Sequence, residues 1–310
     1  MGGLELASCV VRRPSVFLPS GLLSAPTVIL PSQEGAAKDH DPRGAGNSSS
    51  RCGDGTGWGV PSRSEVWKRG LPHLVGWHRR WMLRGLLATF RGDILGTDGL
   101  ERLSSGSDPF IVVMNHSTRL EALLLPVFFA FHRHGRVIPF VADWNFALIP
   151  GLGAALRAGD SILLVRKPAK PAFLNVFRPW FERKGPALEQ AARLLRAGRS
   201  VGIFPEGTVN RHPTRLLRGF EGAARLSLLT GVSVLPVGVR FPGNPTGRPV
   251  RDRTRMQILA GEPLHPGASN AEPARDDVRE WHGRIMLELG RLSGKIWDIG
   301  SSRRKHHGFE

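Results

Sequence analysis

The chain has 310 residues, 41% of them hydrophobic and 22% charged, enough apolar material for one large domain or two small ones. With 43 Lys and Arg against 26 Asp and Glu, the net charge of +17 implies an anionic partner: nucleic acid, a lipid surface, or a phosphorylated or CoA-like substrate. The two cysteines, Cys9 and Cys52, support neither a disulfide framework nor a zinc site, so a reduced cytoplasmic setting is the default.

Residues 1–63 are rich in Gly, Ser, Pro and Asp without an apolar period, and are expected to be disordered or a mis-assigned extension. Arg12-Arg13 and the following PSVFLPSGLLSAPTVIL faintly resemble an export signal, but three prolines break the apolar part, and no cleavable signal is expected. This stretch holds 6 Lys and Arg and 5 Asp and Glu, so an excess of +16 belongs to the remainder. No uninterrupted apolar run approaches the roughly 18–20 residues of a spanning helix.

Residues 64–90, SEVWKRGLPHLVGWHRRWMLRGLLATF, form an amphipathic helical unit whose start is delayed by Gly70 and Pro72. His73, Arg80 and Arg84 can share one face, with Leu71, Val75, Trp77, Trp81, Met82 and Leu86 on much of the rest. Tryptophans beside arginines suit a bilayer interface. Packing of the same helix on its own domain is the other reading.

Beyond residue 91 short apolar runs alternate with helical patterns. Strands are expected at Phe110–Met114, Val137–Ala142, Ser161–Val165, Ser200–Phe204, Val232–Val239 and Thr254–Leu259. Helices are expected near 118–131, 145–157, 186–197, 220–230 and 275–293. The alternation predicts an α/β fold over residues 91–300, with a largely parallel central sheet flanked by helices, followed by a basic tail at 301–310. Sites in such sheets gather where strands end and helices begin. Two polar clusters fall there: NHSTRLE from Asn115, and FPEGTVNR from Phe204. They can meet only if their strands lie close in the sheet.

On an ideal helix His116 and Glu121 would point about 140° apart. If His116 sits in the turn before the helix, a carboxylate can hold one ring nitrogen and leave the other to accept a proton, the arrangement of a general base. The competing reading is a capping box, Thr118-Arg119-Leu120-Glu121, in which the Glu closes onto the Thr118 amide. In the second cluster the Pro205–Gly207 turn, with Arg211, Arg215 and Arg218 behind it, is a plausible phosphate cradle. His132, His134, His306 and His307 read as surface, and Arg133, Arg136, Arg157, Arg166 and Lys167 mostly as solvated surface, some of them facing CoA phosphates or lipid headgroups. Trp144, Trp180, Trp281 and Trp297 read as core or groove anchors.

Together the clusters resemble the glycerophospholipid acyltransferase family, whose motif Asn-His-x4-Asp is matched by Asn115-His116-STRL-Glu121 and whose Phe-Pro-Glu-Gly-Thr-Arg is matched by Phe204 to Val209. SILLVR ending at Arg166 loosely fits its second motif, and Val234-Leu235-Pro236-Val237 looks like its fourth. RGFEGAARLSLLTG and the terminal LSGK also have the family's look. The resemblance implies transfer of a fatty acyl group from acyl-CoA or acyl carrier protein to the hydroxyl of a lysophospholipid, with 1-acyl-glycerol-3-phosphate as the leading acceptor. His116 and Glu121 would be catalytic; Asn115, Arg166, Glu206, Gly207, Thr208 and Arg211 would bind substrate. Neither cofactor nor metal is implied. The protein would sit peripherally on an anionic membrane, at its cytoplasmic face. Two positions depart from the pattern: Glu121 stands where Asp is usual, and Val209 where an arginine contacts phosphate. Arg211 is the candidate replacement; an acceptor lacking that phosphate is the other. A catalytically impaired lipid-surface binder is the alternative function. Nucleic-acid binding rests on charge alone and is not expected.

Overall fold

The computed structural model describes residues 58–300, except 166, 167, 170, 183, 184, 246 and 268. The extension up to residue 57, Arg166 and the 301–310 tail therefore lie outside the described residues. Folded chain reaches back to Trp58, whose ring stacks on His132 at 5.0 Å and whose carbonyl accepts from Thr97 Oγ1 at 2.9 Å.

Five strands form the main sheet, in the order β1 (Ile94–Asp98), β7 (Met256–Ala260), β6 (Val234–Arg240), β2 (Ile111–Met114), β5 (Val201–Ile203). The β1–β7, β2–β6 and β2–β5 pairs are parallel, while β6 and β7 run antiparallel. A second, parallel pair, β3 (Val141–Asp143) and β4 (Ile162–Leu164), adjoins β5 through a bridge between Phe140 and Gly202. The expected largely parallel sheet is present.

Strand β2 explains the layering. Its four residues are all buried because both faces of a parallel sheet are covered. Val112 and Met114 join one core with Leu124, Phe128 and Phe131 of α3 (Arg119–His132). Ile111 and Val113 join the opposite core, with Leu195 of α6 (Ala187–Arg196), Ala224 of α7 (Gly222–Thr230) and Ile285 of α8 (Arg275–Ser293). Each such side chain contributes about 1.5–3 kcal/mol on leaving water.

Several expectations shift. Residues 64–90 are two helices, α1 (Arg63–Lys68) and α2 (Trp77–Phe90), separated by the stretch holding Gly70 and Pro72. Leu83 and Leu87 of α2 pack inward on the domain, whereas Trp77 and Trp81 are 75% and 58% exposed. The helix expected over 145–157 starts only at α4 (Leu152–Ala158), after a 3₁₀ turn, because Gly151 sits at φ 79° behind Pro150. Strand β1 was not anticipated. ILGTD has no alternation, and its partner β7 is remote in sequence. The short helix α5 (Arg178–Glu182) was also missed. Arg133 and His132, expected at the surface, are buried; Arg133 pairs with Asp108 at 2.6 Å. Trp180, expected as an anchor, is 68% exposed.

Gly238 on β6 faces the end of α8, where an added Cβ would press on the Leu292 carbonyl carbon and lie 2.5 Å from Ser293 N. Backbone cannot yield as a side-chain tip can. Gly238→Ala should lower the unfolding free energy by about 1–3 kcal/mol, whereas Gly243→Ala, with nothing within 4 Å, should not. Paired chemical denaturation curves check this.

Candidate active site

Parallel pairing sets Val113 of β2 opposite Ile203 of β5, so NHSTRLE and FPEGT leave the sheet side by side at the carboxyl ends of their strands. Asn115 follows the last β2–β6 register pair, Met114 opposite Val237, and binds β6 through its side-chain amide. Its Oδ1 accepts from Val239 N at 2.7 Å and its Nδ2 donates to Val239 O at 3.1 Å. The chain then turns, and Thr118 caps α3 from the extended region, accepting from Glu121 N at 3.3 Å.

The choice between cap and catalytic partner dissolves in the geometry. Glu121 is fully buried, and one oxygen, Oε1, serves both roles. It accepts from Thr118 N at 3.0 Å, from Ser117 N, and from His116 Nδ1 at 2.9 Å. A carboxylate acceptor holds the ring proton on Nδ1, which leaves Nε2 with a lone pair and no partner among the described residues. The ring leans on Phe204 at a centroid distance of 4.7 Å and lines a cavity of about 1110 Å³. The walls are largely apolar, including Leu86, Leu123, Val127, Phe146 and Leu156.

Glu206, expected to touch substrate, turns inward instead. Its Oε1 accepts from His116 N at 3.0 Å, and its Oε2 accepts from Asn210 Nδ2 at 2.6 Å and from Leu217 N at 2.9 Å. Three donors on one buried carboxylate clasp the second cluster to the first. Asn210 N adds a bond to the His116 carbonyl at 2.6 Å. Asn115 is likewise buried, its amide directed at Val239 rather than the cavity. Gly207, Thr208 and Arg211 do line the cavity, as does Val209. Gly207 has φ 63°, and a Cβ there would lie 2.6 Å from the Phe220 ring; only glycine suits that turn.

Arg211 is anchored, donating to Asp252 Oδ2 at 2.6 Å and to Val250 O at 2.8 Å. Burial works against the Asp252 carboxylate, but hydrogen bonds from Arg119 N and Arg211, with their charges, outweigh it and lower its pKa. The result is an arginine held in place on the wall of the cavity that His116 also lines. Asp252 had no signal in the sequence, since it lies in a loop far from either cluster. Among the described residues no group of three or more His, Cys, Asp or Glu side chains could hold a metal ion.

The sequence from residue 96 to residue 240 matches the family model described as Acyltransferase. This part of the chain belongs to the acyltransferase family. The matched stretch runs from β1 through β6 and holds every residue of both clusters. The chloroplastic 1-acyl-sn-glycerol-3-phosphate acyltransferase LPAT1 of Arabidopsis thaliana is 26% identical over 191 residues, covering 60% of this chain and 48% of that protein. The 1-acyl-sn-glycerol-3-phosphate acyltransferase of Borreliella burgdorferi is 29% identical over 154 residues, covering 49% and 52%. The chain thus spans about half the length of these curated relatives. The solved 1-acyl-sn-glycerophosphate acyltransferase PlsC of Thermotoga maritima is 21% identical with a TM-score of 0.45, covering 71% of this chain and 79% of that one. The fold stands on the sheet order above and not on that likeness.

Within the acyltransferase domain the Glu206 clasp should behave as structure. Glu206→Ala removes one carboxylate from three donors and should cost about 3–5 kcal/mol. Hydrogen exchange should quicken at the His116 and Leu217 amides before it does in β6. Unchanged protection at both amides would contradict the clasp.

Proposed function

We propose that the chain is an O-acyltransferase that moves a fatty acyl group from a thioester, acyl-CoA or acyl carrier protein, to the hydroxyl of a lysophospholipid of the 1-acyl-glycerol-3-phosphate class, in phospholipid synthesis. The observation that carries this reading is the free Nε2 of His116 on the wall of a large apolar cavity, with Nδ1 held by the buried Glu121. Nε2 takes the proton of the acceptor hydroxyl as its oxygen attacks the thioester carbonyl carbon. The tetrahedral intermediate expels the thiolate, which takes the proton back from the imidazolium. Glu121 stabilises that imidazolium, and base catalysis of this kind contributes roughly 10²–10⁴-fold. Apolar walls suit an acyl chain. Arg211 and the Gly207–Thr208 turn suit the acceptor's phosphate and glycerol, with Arg166 as a further candidate. The names of the relatives favour a phosphate-bearing acceptor.

His116→Ala should lower acyl transfer by about 10²–10⁴-fold, measured with acyl-CoA and a panel of lysophospholipids by mass spectrometry. Glu121→Gln keeps an oxygen for the cap but no charge for the imidazolium. It should lose comparable activity while changing stability by no more than the roughly 0.5–2 kcal/mol of a cap. Wild-type rates in His116→Ala would sink the reading, and inactive wild-type protein would favour a lipid-surface binder.

The site of action we propose is the surface of an anionic membrane, at its cytoplasmic face. No described helix is long and apolar enough to cross a bilayer. What supports surface association is the pair of exposed tryptophans on α2, whose neighbours Met82 and Leu86 line the cavity. The exposed Phe173, Val176 and Trp180 add apolar surface elsewhere. Replacing both Trp77 and Trp81 by alanine should weaken co-sedimentation with anionic vesicles tenfold or more. Retained binding would count against α2 as the anchor.

A further inference from the structure

The last described segment of the chain returns to the site. Helix α8 ends at Gly294, whose φ of 70° reverses the backbone. Ile296 then pairs with Arg215, donating to Thr214 O at 2.8 Å and accepting from Leu216 N at 2.9 Å. Between these fixed points Lys295 is buried, and its side chain runs underneath NHSTRLE. Nζ donates to Ser117 Oγ at 2.7 Å and to the His212 carbonyl at 2.8 Å. Lys295 lies outside the matched stretch 96–240 and has no part in the chemistry described so far.

A buried ammonium is costly without a countercharge. The groups that face this one are Ser117 after β2 and the His212 carbonyl after β5, which accept from it, and the carboxylates Glu206 and Glu121, whose charges attract it. Arg240 is nearby but is occupied by the Leu292 and Arg291 carbonyls at the end of α8. Burial lowers the Lys295 pKa, while attraction to Glu206 and then Glu121 opposes it. Burial likewise raises the Glu206 pKa, against Lys295 and its three hydrogen bonds. Two buried carboxylates thus share one buried cation.

The consequence of removing that cation depends on where a replacing proton could go. Glu206 Oε2 accepts two bonds and Oε1 one, so only Oε1 has room for a proton there. Glu121 differs: its Oε2 is buried and has no hydrogen-bond partner among the described residues. A proton on Oε2 would break nothing in the cap, yet would neutralise the carboxylate that His116 depends on.

We propose that Lys295 is a positioning residue for the His116–Glu121 pair, its ammonium supplying a countercharge to the buried Glu121 carboxylate and tying Ser117 to the His212 loop beneath the base. It acts through Glu121 and touches neither substrate nor the reacting atoms. The inference rests on His116 as the base, and it assigns to the end of α8 a role in that chemistry.

The test compares Lys295→Met with Lys295→Gln, which offers an amide donor without charge, and with Lys295→Arg, which keeps the charge. In both neutral variants the acid limb of kcat/KM should move to higher pH by one unit or more. That is a tenfold or greater loss below the limb, with the high-pH plateau within a few-fold of wild type. Lys295→Arg should keep the limb in place. Infrared difference spectra, which need no turnover, should show a protonated-carboxyl band at neutral pH in the neutral variants, absent from wild type and abolished by adding Glu121→Gln. An unmoved limb, a loss uniform across pH, or no such band in a folded neutral variant would overturn the proposal. So would that band in wild-type protein if Glu121→Gln abolishes it, which decides the matter even if neither neutral variant folds. A protein inactive with every acceptor defeats the acyltransferase reading, while the infrared result still judges Lys295.

Discussion

Strands β2 and β5 run parallel with Val113 opposite Ile203, and the site depends on that adjacency. Because both strands point the same way, both chains leave the sheet at one level and their exit turns must share space. Polar main chain at such a junction would be buried without partners, at a cost of about 1–3 kcal/mol per group. Glu206 supplies the missing acceptors, one oxygen to His116 N and the other to Leu217 N and Asn210. The clasp holds the main chain of His116 in place, and the ring position follows from it.

Glu121 shows how one atom can meet a structural and a chemical demand together. The N-terminus of α3 needs acceptors for its first amides, and an imidazole intended as a base needs an acceptor for Nδ1–H. Both sets of donors converge on Oε1. Helix capping therefore orients the imidazole. A glutamate in the third helical position reaches back far enough to do both, which accounts for its presence where an aspartate is usual in the resembling family.

The arrangement also separates functions in space. Near His116 the cavity wall carries Gly207, Thr208, Val209 and an Arg211 fixed by Asp252. The carboxylates lie below them, buried with Lys295.

Much of this was legible in the residues. The apolar runs of β2, β5 and β6 and the flanks of α6 and α8 reveal a parallel α/β sheet, since strands covered on both faces must be apolar throughout. His116, Glu121, Gly207 and Arg211 could be singled out by local pattern alone. Strand β1 could not, because its stability comes from pairing with β7, more than 150 residues away. Nor could the inward turn of Asn115 and Glu206: local sequence identifies a polar side chain but not the side on which its partners lie. The sequence by itself determined most of the element types and singled out candidate site residues, because periodicity, capping and turn geometry are short-range. Only the tertiary structure decided that Glu121 caps and orients at once, that Glu206 is a clasp, and that Lys295 lies beneath them, because hydrogen bonds and charge pairs form between neighbours in space.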